Sequence, residues 1–255
     1  MRIFTISDLH VDYRQNAEWV EGLSRADFTD DILILAGDIS DSLERIARTI
    51  THLAKRFRQV LFVPGNHDLW ILRDRGSAHS LDKFIKVQDT VTECGGSVGP
   101  FENDALAIVP LLGWYDYSFG EPSSELKRRW MDYRACRWPA DMIEKDIAAH
   151  FSGLNEPVVK RSKPVVISFS HFMPRIDLMP SFAPERSRFL FPVLGTELIE
   201  DQIRRIGASI HIYGHSHINR RAIRDGVVYI NNAFGYPSEH HFTAKKLLCV
   251  LEVDD

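Results

Sequence analysis

Apolar residues in this chain come in two spacings, and the two alternate. Unbroken runs such as Ile32–Ala36 and Val60–Val63 have the length and β-branched content of buried strands. Between them, apolar residues return every three or four positions. Residues 16–26 place Trp19, Val20 and Leu23 on one side of a helix. Leu43, Ile46, Ala47, Ile50, Leu53 and Ala54 form the inner stripe of another, capped by Ser40 or Asp41. With a first strand at Arg2–Ser7, this order predicts a largely parallel sheet with helical crossovers. The pattern then predicts a helix from Ser77 to Cys94, ended by Gly95–Gly96, and a strand at Ala105–Leu112. It resumes with a strand at Pro164–Ser170, a helix at Thr196–Ile206 and a strand at Ala208–Tyr213. Arg220–Arg224 and Val227–Ile230, parted by Asp225–Gly226, read as a hairpin, and Lys246–Val253 as a last strand.

Ser118–Lys163 interrupts this rhythm. It holds Trp130, Trp138 and the basic residues Lys127, Arg128, Arg129, Arg134 and Arg137, with helices expected at Ser123–Trp130 and Ala140–Phe151. So short a segment buries too little to fold alone. The expected organisation is a single domain over residues 1–255 with a helical, cap-like insertion at 118–163, which is expected to shape selectivity and not the central chemistry.

Composition changes the picture little. The chain has 255 residues, 44% hydrophobic and 26% charged, which is ordinary for a globular protein. A net charge of −4 argues against coating a long nucleic acid, and no nucleic-acid-binding module is evident. Cys94, Cys136 and Cys249 lie far apart, so neither a disulfide framework nor a zinc finger is expected. No run reaches about 18 apolar residues. The start of the chain lacks a signal-peptide core, and the expected compartment is the cytoplasm.

The chemistry sits where the strands stop. Asp8 and His10, Asp38, Asn66 and His67, His171, and His215 and His217 all follow apolar runs, where open α/β sheets place their sites. Each has a bland explanation. Asp8 and Asp38 could cap helices, and Asn66–His67–Asp68 could be an ordinary polar turn. His171 could be a satisfied buried histidine and His215-x-His217 a surface turn. Together they would require every strand end to collect metal-type side chains by accident. Oxygen and imidazole donors without thiolate suit Mn²⁺, Fe or Zn²⁺. Their number is enough for two divalent ions sharing one carboxylate.

The ordered set Asp8-x-His10, Gly37–Asp38, Gly65–Asn66–His67–Asp68, His171 and Gly214–His215-x-His217 resembles the calcineurin-like metallophosphoesterase superfamily. That family often has another acidic residue or a glycine shortly after its second motif, where this chain has Ser40–Asp41. The resemblance implies an α/β fold, a four-layer α/β/β/α sandwich of two mixed β-sheets flanked by helices. It implies that Asp8, His10 and His217 hold one metal, that Asn66, His171 and His215 hold the other, and that Asp38 bridges them. Mn²⁺ is the expected metal, with Fe, Zn²⁺ or Ni²⁺ as alternatives. His67 matches the catalytic histidine, and Asp68 is expected to hydrogen-bond its ring and fix its tautomer.

Two divalent ions clamp the nonbridging oxygens of a phosphate ester and lower the pKa of a shared water. Attack by the bridging hydroxide, with His67 protonating the departing oxygen, completes the expected hydrolysis. The substrate class favoured is a phosphodiester, small or nucleotide-type. Alternatives are a phosphomonoesterase on proteins or sugar phosphates, a nuclease, and a catalytically silent scaffold, which would have lost ligands. The turn Phe234–Pro237 with His240–His241 is expected to rim the site. Trp114 is expected in the core, and Lys127–Arg129 on a solvated face.

Overall fold

The computed structural model describes residues 1–74, 76–159, 163–181 and 185–253. Among these residues ten strands run in chain order: β1 (Arg2–Ile6), β2 (Ile32–Ala36), β3 (Gln59–Val63), β4 (Phe101–Glu102), β5 (Leu106–Pro110), β6 (Val165–Phe169), β7 (Ile210–Tyr213), β8 (Arg220–Arg224), β9 (Val227–Asn231) and β10 (Leu248–Glu252). Seven α-helices lie between them: α1 (Arg14–Glu21), α2 (Leu43–Ala54), α3 (Ser80–Glu93), α4 (Ser124–Arg129), α5 (Asp132–Ala135), α6 (Glu144–Leu154) and α7 (Glu197–Arg205). The first sheet has the order β10-β1-β2-β3 and the second β4-β5-β6-β7-β9-β8. β1, β2 and β3 are parallel, as are β5, β6, β7 and β9; the edge strands β10, β4 and β8 run antiparallel. Two mixed sheets flanked by helices are the architecture expected from the sequence.

Strand side chains alternate between two apolar layers, as a period of two requires. Ile3, Ile32 and Ile34 meet Ile108, Ile167 and Ile212 between the sheets. Their neighbours Phe4, Leu33 and Leu35 face outward, against Ile46, Ile50, Val87 and Val91 from α2 and α3. On the other sheet, Val109 and Val166 pack against Ile147 and Phe151 of α6 and Ile199 and Ile203 of α7. Burying one such side chain stabilises by roughly 1.5–3 kcal/mol. A layer between the sheets built almost wholly of apolar side chains therefore fixes their relative position, and with it the loops at their ends.

Helix α6 comes from the insertion, so this segment supplies part of the second sheet's cover. Trp114 is fully buried against Trp138 and Phe172, the core role expected of it. Lys127, Arg128 and Arg129 are exposed, also as expected. Helix ends differ from the sequence reading by a few residues. The first helix, read as 16–26, stops at Glu21 because Gly22 follows it.

Candidate metal centre

The carboxyl ends of β1, β2, β3, β6 and β7 open onto one edge. There the two sheets are stitched together. Phe234 N–H donates to Ser7 C=O at 2.8 Å and Gly235 N–H to Asp8 C=O at 2.9 Å, beyond a parallel bridge between Ser7 and Ala233. Each strand then breaks abruptly. Asp8, His10, Asp38, His215 and His217 have φ of 54°, 41°, 59°, 66° and 52°. Left-handed backbone costs a non-glycine residue of order 1 kcal/mol or more and persists where surroundings over-determine it. Here it turns consecutive strand-end side chains toward one point. The glycines of the motifs clear the space. A Cβ on Gly37 would lie 2.5 Å from His171 Nδ1, and one on Gly65 would lie 2.1 Å from Asp38 Oδ1.

Three groups of potential ligands result: Asp8, His10 and His217; His10, Asp38 and His67; and Asp38, His171 and His215. His217 Nε2 lies 3.2 Å from Asp8 Oδ1 and 3.2 Å from His10 Nε2. His171 Nε2 lies 3.1 Å from His215 Nδ1 and 3.1 Å from Asn66 Oδ1. Asp38 Oδ2 stands between the two groups, 3.8 Å from His10 Nε2 and 3.6 Å from His171 Nε2.

The outward-facing nitrogens say which way the lone pairs point. His171 Nδ1 sits 3.0 Å from Ala36 C=O, and His215 Nε2 sits 3.0 Å from Val193 C=O. His217 Nδ1 sits 2.6 Å from Glu239 Oε2. A carbonyl or carboxylate oxygen only accepts, so each of these nitrogens carries the hydrogen. For His171 and His215 the opposite nitrogens then converge as bare acceptors, beside a carboxylate and an amide oxygen. Acceptors packed at 3.1 Å from one another suit a cation between them.

Charge points the same way. Burial holds the His10, His67, His171 and His215 rings below the usual histidine range, so they are neutral donors of electron pairs. Burial, then Asp68 and Asp8, push the Asp38 carboxyl well above its usual range. Burial raises Asp8 too, but His217 outweighs it and holds this carboxyl low. Burial lowers His217, while Asp8 and Glu239 lift it to about 10. Buried carboxylates crowded like this call for positive charge between them.

Residues 1–219 match the calcineurin-like phosphoesterase family. The chain belongs to that family. It is 27% identical to the acyl-carrier-protein phosphodiesterase PptH of Mycobacterium tuberculosis (strain ATCC 25618 / H37Rv), over 93% of this chain and 78% of that protein. The crystal structure of the phosphopantetheinyl hydrolase PptH from Mycobacterium tuberculosis superposes with a TM-score of 0.78 at 25% identity, covering 94% of this chain and 91% of that one. The chain is thus a metal-dependent phosphoesterase, a hydrolase of ester bonds.

In this phosphoesterase all seven expected ligands, Asp8, His10, Asp38, Asn66, His171, His215 and His217, come together. His67 stands at the same edge, its Nε2 3.9 Å from Asp38 Oδ2, its ring stacked on Trp70 with centroids 3.7 Å apart. One expectation is corrected. Asp68 does not hold the His67 ring. Its carboxylate accepts backbone N–H groups from Asp38 and Gly65, both at 2.8 Å, and from Ile39 and Ser40 at 2.9 and 3.1 Å. A carboxylate saturated by four donors fixes the loop that carries Asp38. Burial nevertheless pushes its pKa up to about 6.

The phosphoesterase also uses two carboxylates that the sequence reading passed over. Glu239 takes the His217 Nδ1 hydrogen, and its Oε2 also accepts Tyr236 N–H at 2.7 Å. It stands beside His240 and His241, which drew attention instead; those two are exposed and pair with each other. Tyr236 lies over His10 with centroids 4.5 Å apart, so its turn does rim the site. Asp132, inside the insertion, accepts a hydrogen bond from Asn66 Nδ2 at 2.8 Å. The insertion therefore reaches the metal core, against the expectation that it would only shape substrate choice. The available signal was a lone acidic residue among Lys127, Arg128, Arg129, Arg134 and Arg137.

Proposed function

We propose that this phosphoesterase is a phosphodiesterase that frees a phosphopantetheinyl group from an acyl carrier protein. The likeness to PptH along 93% of the chain carries this reading. The convergence of a full set of nitrogen and oxygen ligands supports it. It moves the substrate class from a nucleotide-type molecule to a diester borne on a protein. In it, Asp8, His10 and His217 hold one divalent ion, Asn66, His171 and His215 the second, and Asp38 both. Manganese suits the thiolate-free donor set. The ions, when bound, neutralise the diester's charge and make water a better nucleophile near neutral pH.

The chain's own residues do the rest. Asp68 and the glycines hold the ligand loops still. The neutral His67, at the open face of the site, steadies the departing oxygen and passes it a proton taken up from solvent. Water oxygen bonds to phosphorus and releases a proton to solvent, the ester bond on the opposite side breaks, and the proton passed by His67 ends on the alcohol released. We read residues 1–255 as one domain, since Ile147 and Phe151 of the insertion share a core cluster with Val109. We place it in the cytoplasm, where three unpaired cysteines are at home; among the described residues no helix is long and apolar enough to cross a membrane.

The test is direct. Manganese-loaded protein is incubated with an acyl carrier protein bearing phosphopantetheine, and the carrier's intact mass is followed. Conversion to the unmodified carrier, with bis(p-nitrophenyl) phosphate cleaved faster than its monoester, is the expected result. An unchanged carrier mass alongside brisk monoester cleavage would replace this reading with a phosphomonoesterase.

A further inference from the structure

Asp132 is a buried carboxylate, 2% exposed, in the insertion and far in sequence from every motif. Its oxygens receive only neutral donors. Oδ1 accepts from Asn66 Nδ2 at 2.8 Å and from Trp70 Nε1 at 2.7 Å; Oδ2 accepts from Trp130 Nε1 at 2.7 Å. A buried charge without a cation beside it is costly to keep, and hydrophobic residues usually do such packing better.

What the carboxylate reaches explains the cost. The amide of Asn66 has two ends. Its Oδ1 stands 3.1 Å from His171 Nε2, facing the second metal position. Turned over, the amide would aim hydrogens at that position and an oxygen at Asp132. A carboxylate accepts only, so it selects the orientation in which the oxygen faces the metal. Asp132 Oδ1, which takes the Asn66 hydrogen, also accepts from the indole of Trp70, on which the His67 ring lies at 3.7 Å between centroids and 28° between planes. Through Oδ2 it holds Trp130, whose ring meets His215 edge-on at 5.8 Å.

We propose that Asp132 is a positioning residue through which the insertion sets a metal ligand and the platform of the catalytic histidine together. The proposal rests on the reading of Asn66 as a ligand and of His67 as the group that protonates the departing oxygen. It gives the insertion a task at the reaction centre that neither its basic surface nor its apolar cover supplies. One carboxylate oxygen couples two parts of the machinery, so their geometries change together.

Asp132→Asn preserves size but replaces part of an acceptor-only group with hydrogens. Outer partners of metal ligands commonly contribute about 10- to 100-fold to affinity or activity. The expected result is one of two bound equivalents weakened by about that factor in a manganese titration of chelator-stripped protein, with the melting temperature of the metal-free protein little changed. The decisive step is a cycle with Asn66→Ala. If Asp132 acts through Asn66, adding Asp132→Asn to Asn66→Ala costs no further metal affinity. Trp70→Phe keeps the ring beneath His67 and deletes its anchor. It should retain both metals yet lower kcat on poor leaving groups more than on p-nitrophenolate. Full-affinity binding of two metals by Asp132→Asn, or equal added loss in both backgrounds, would overturn the proposal. Unchanged leaving-group dependence in Trp70→Phe would overturn its second half. These readouts use metal and small diesters, so they are independent of whether a carrier protein is the substrate. Asn66→Ala that binds two metals normally would instead mark the ligand reading as the one at fault.

Discussion

His67 and Asn66 are neighbours with different surroundings, and in the proposed mechanism that difference separates ligand from acid. Asn66 is enclosed between His171 and Asp132. His67 is pinned through its backbone, its N–H donating to Asp38 Oδ1 at 2.9 Å, while its ring lies free on Trp70. Removing the ring should therefore leave the metals in place. His67→Ala is expected to keep two equivalents of metal by elemental analysis while kcat falls by about 10²-fold or more. The loss should shrink for acidic leaving groups, which need little protonation. An equal loss across leaving groups of different pKa would exclude the proton-donor role. Asp68, next in sequence, contributes in another way. By gathering four backbone N–H groups it holds Asp38 in its left-handed conformation, so its effect reaches the site only through the loop.

Between β6 and β7 a buried histidine supports the site from behind. His211 is fully buried, with Nδ1 2.8 Å from Ser168 Oγ and Nε2 3.1 Å from Ser170 Oγ, one residue before His171. Burial lowers its pKa from 6.5 to about 3. The folded ring thus stays neutral where the unfolded one takes a proton. Its stabilisation is complete above pH 6.5 and is lost as pH falls toward 3, by about 1.4 kcal/mol per unit. His211→Gln should lower the urea midpoint at pH 7.5 yet flatten its fall between pH 6 and pH 5; an identical acid slope in both proteins would refute this. Elements of this kind mark the limit of sequence reading. Strands such as Ile32–Ala36 were legible because burial on both faces leaves an unbroken apolar run. The candidate ligands were legible because the strands deliver them in order. Asp132 and Glu239 were not, because hydrogen bonds across 66 and 22 residues leave no periodic trace and single acidic residues in loops are common. The Asp68 ring contact was misjudged because proximity in sequence does not fix direction; the carboxylate turned to the backbone groups exposed by the left-handed loop.

At the scale of the whole molecule, the site joins two sheets that otherwise meet through side chains alone over most of their length. Asp8, His10, Asp38 and Asn66 follow strands of the first sheet; His171, His215 and His217 follow strands of the second. Between them lie crowded acceptors, buried carboxylates and strained backbone, all of which cost stability when no cation is present. Metal binding to the folded chain alone adds about 4 kcal/mol for each site when free metal is 1,000 times its dissociation constant. For a chain of this size 1 kcal/mol moves the melting temperature by roughly 2–4 °C. Stripping both metals with a chelator should therefore lower melting by about 10 °C or more, and adding manganese should restore it. Asp38→Ala, which removes the carboxylate between the two positions, should melt at nearly the same temperature with and without chelator. Hydrogen exchange locates the effect: amides at Ser7, Phe234 and Gly235, where the sheets are stitched, should lose protection in the metal-free protein before those of the layer around Ile34 and Ile167. A protein shown to carry two metals that melts and exchanges identically after their removal would mean that the sheets are held by their apolar layer alone, and that the metals serve only the chemistry.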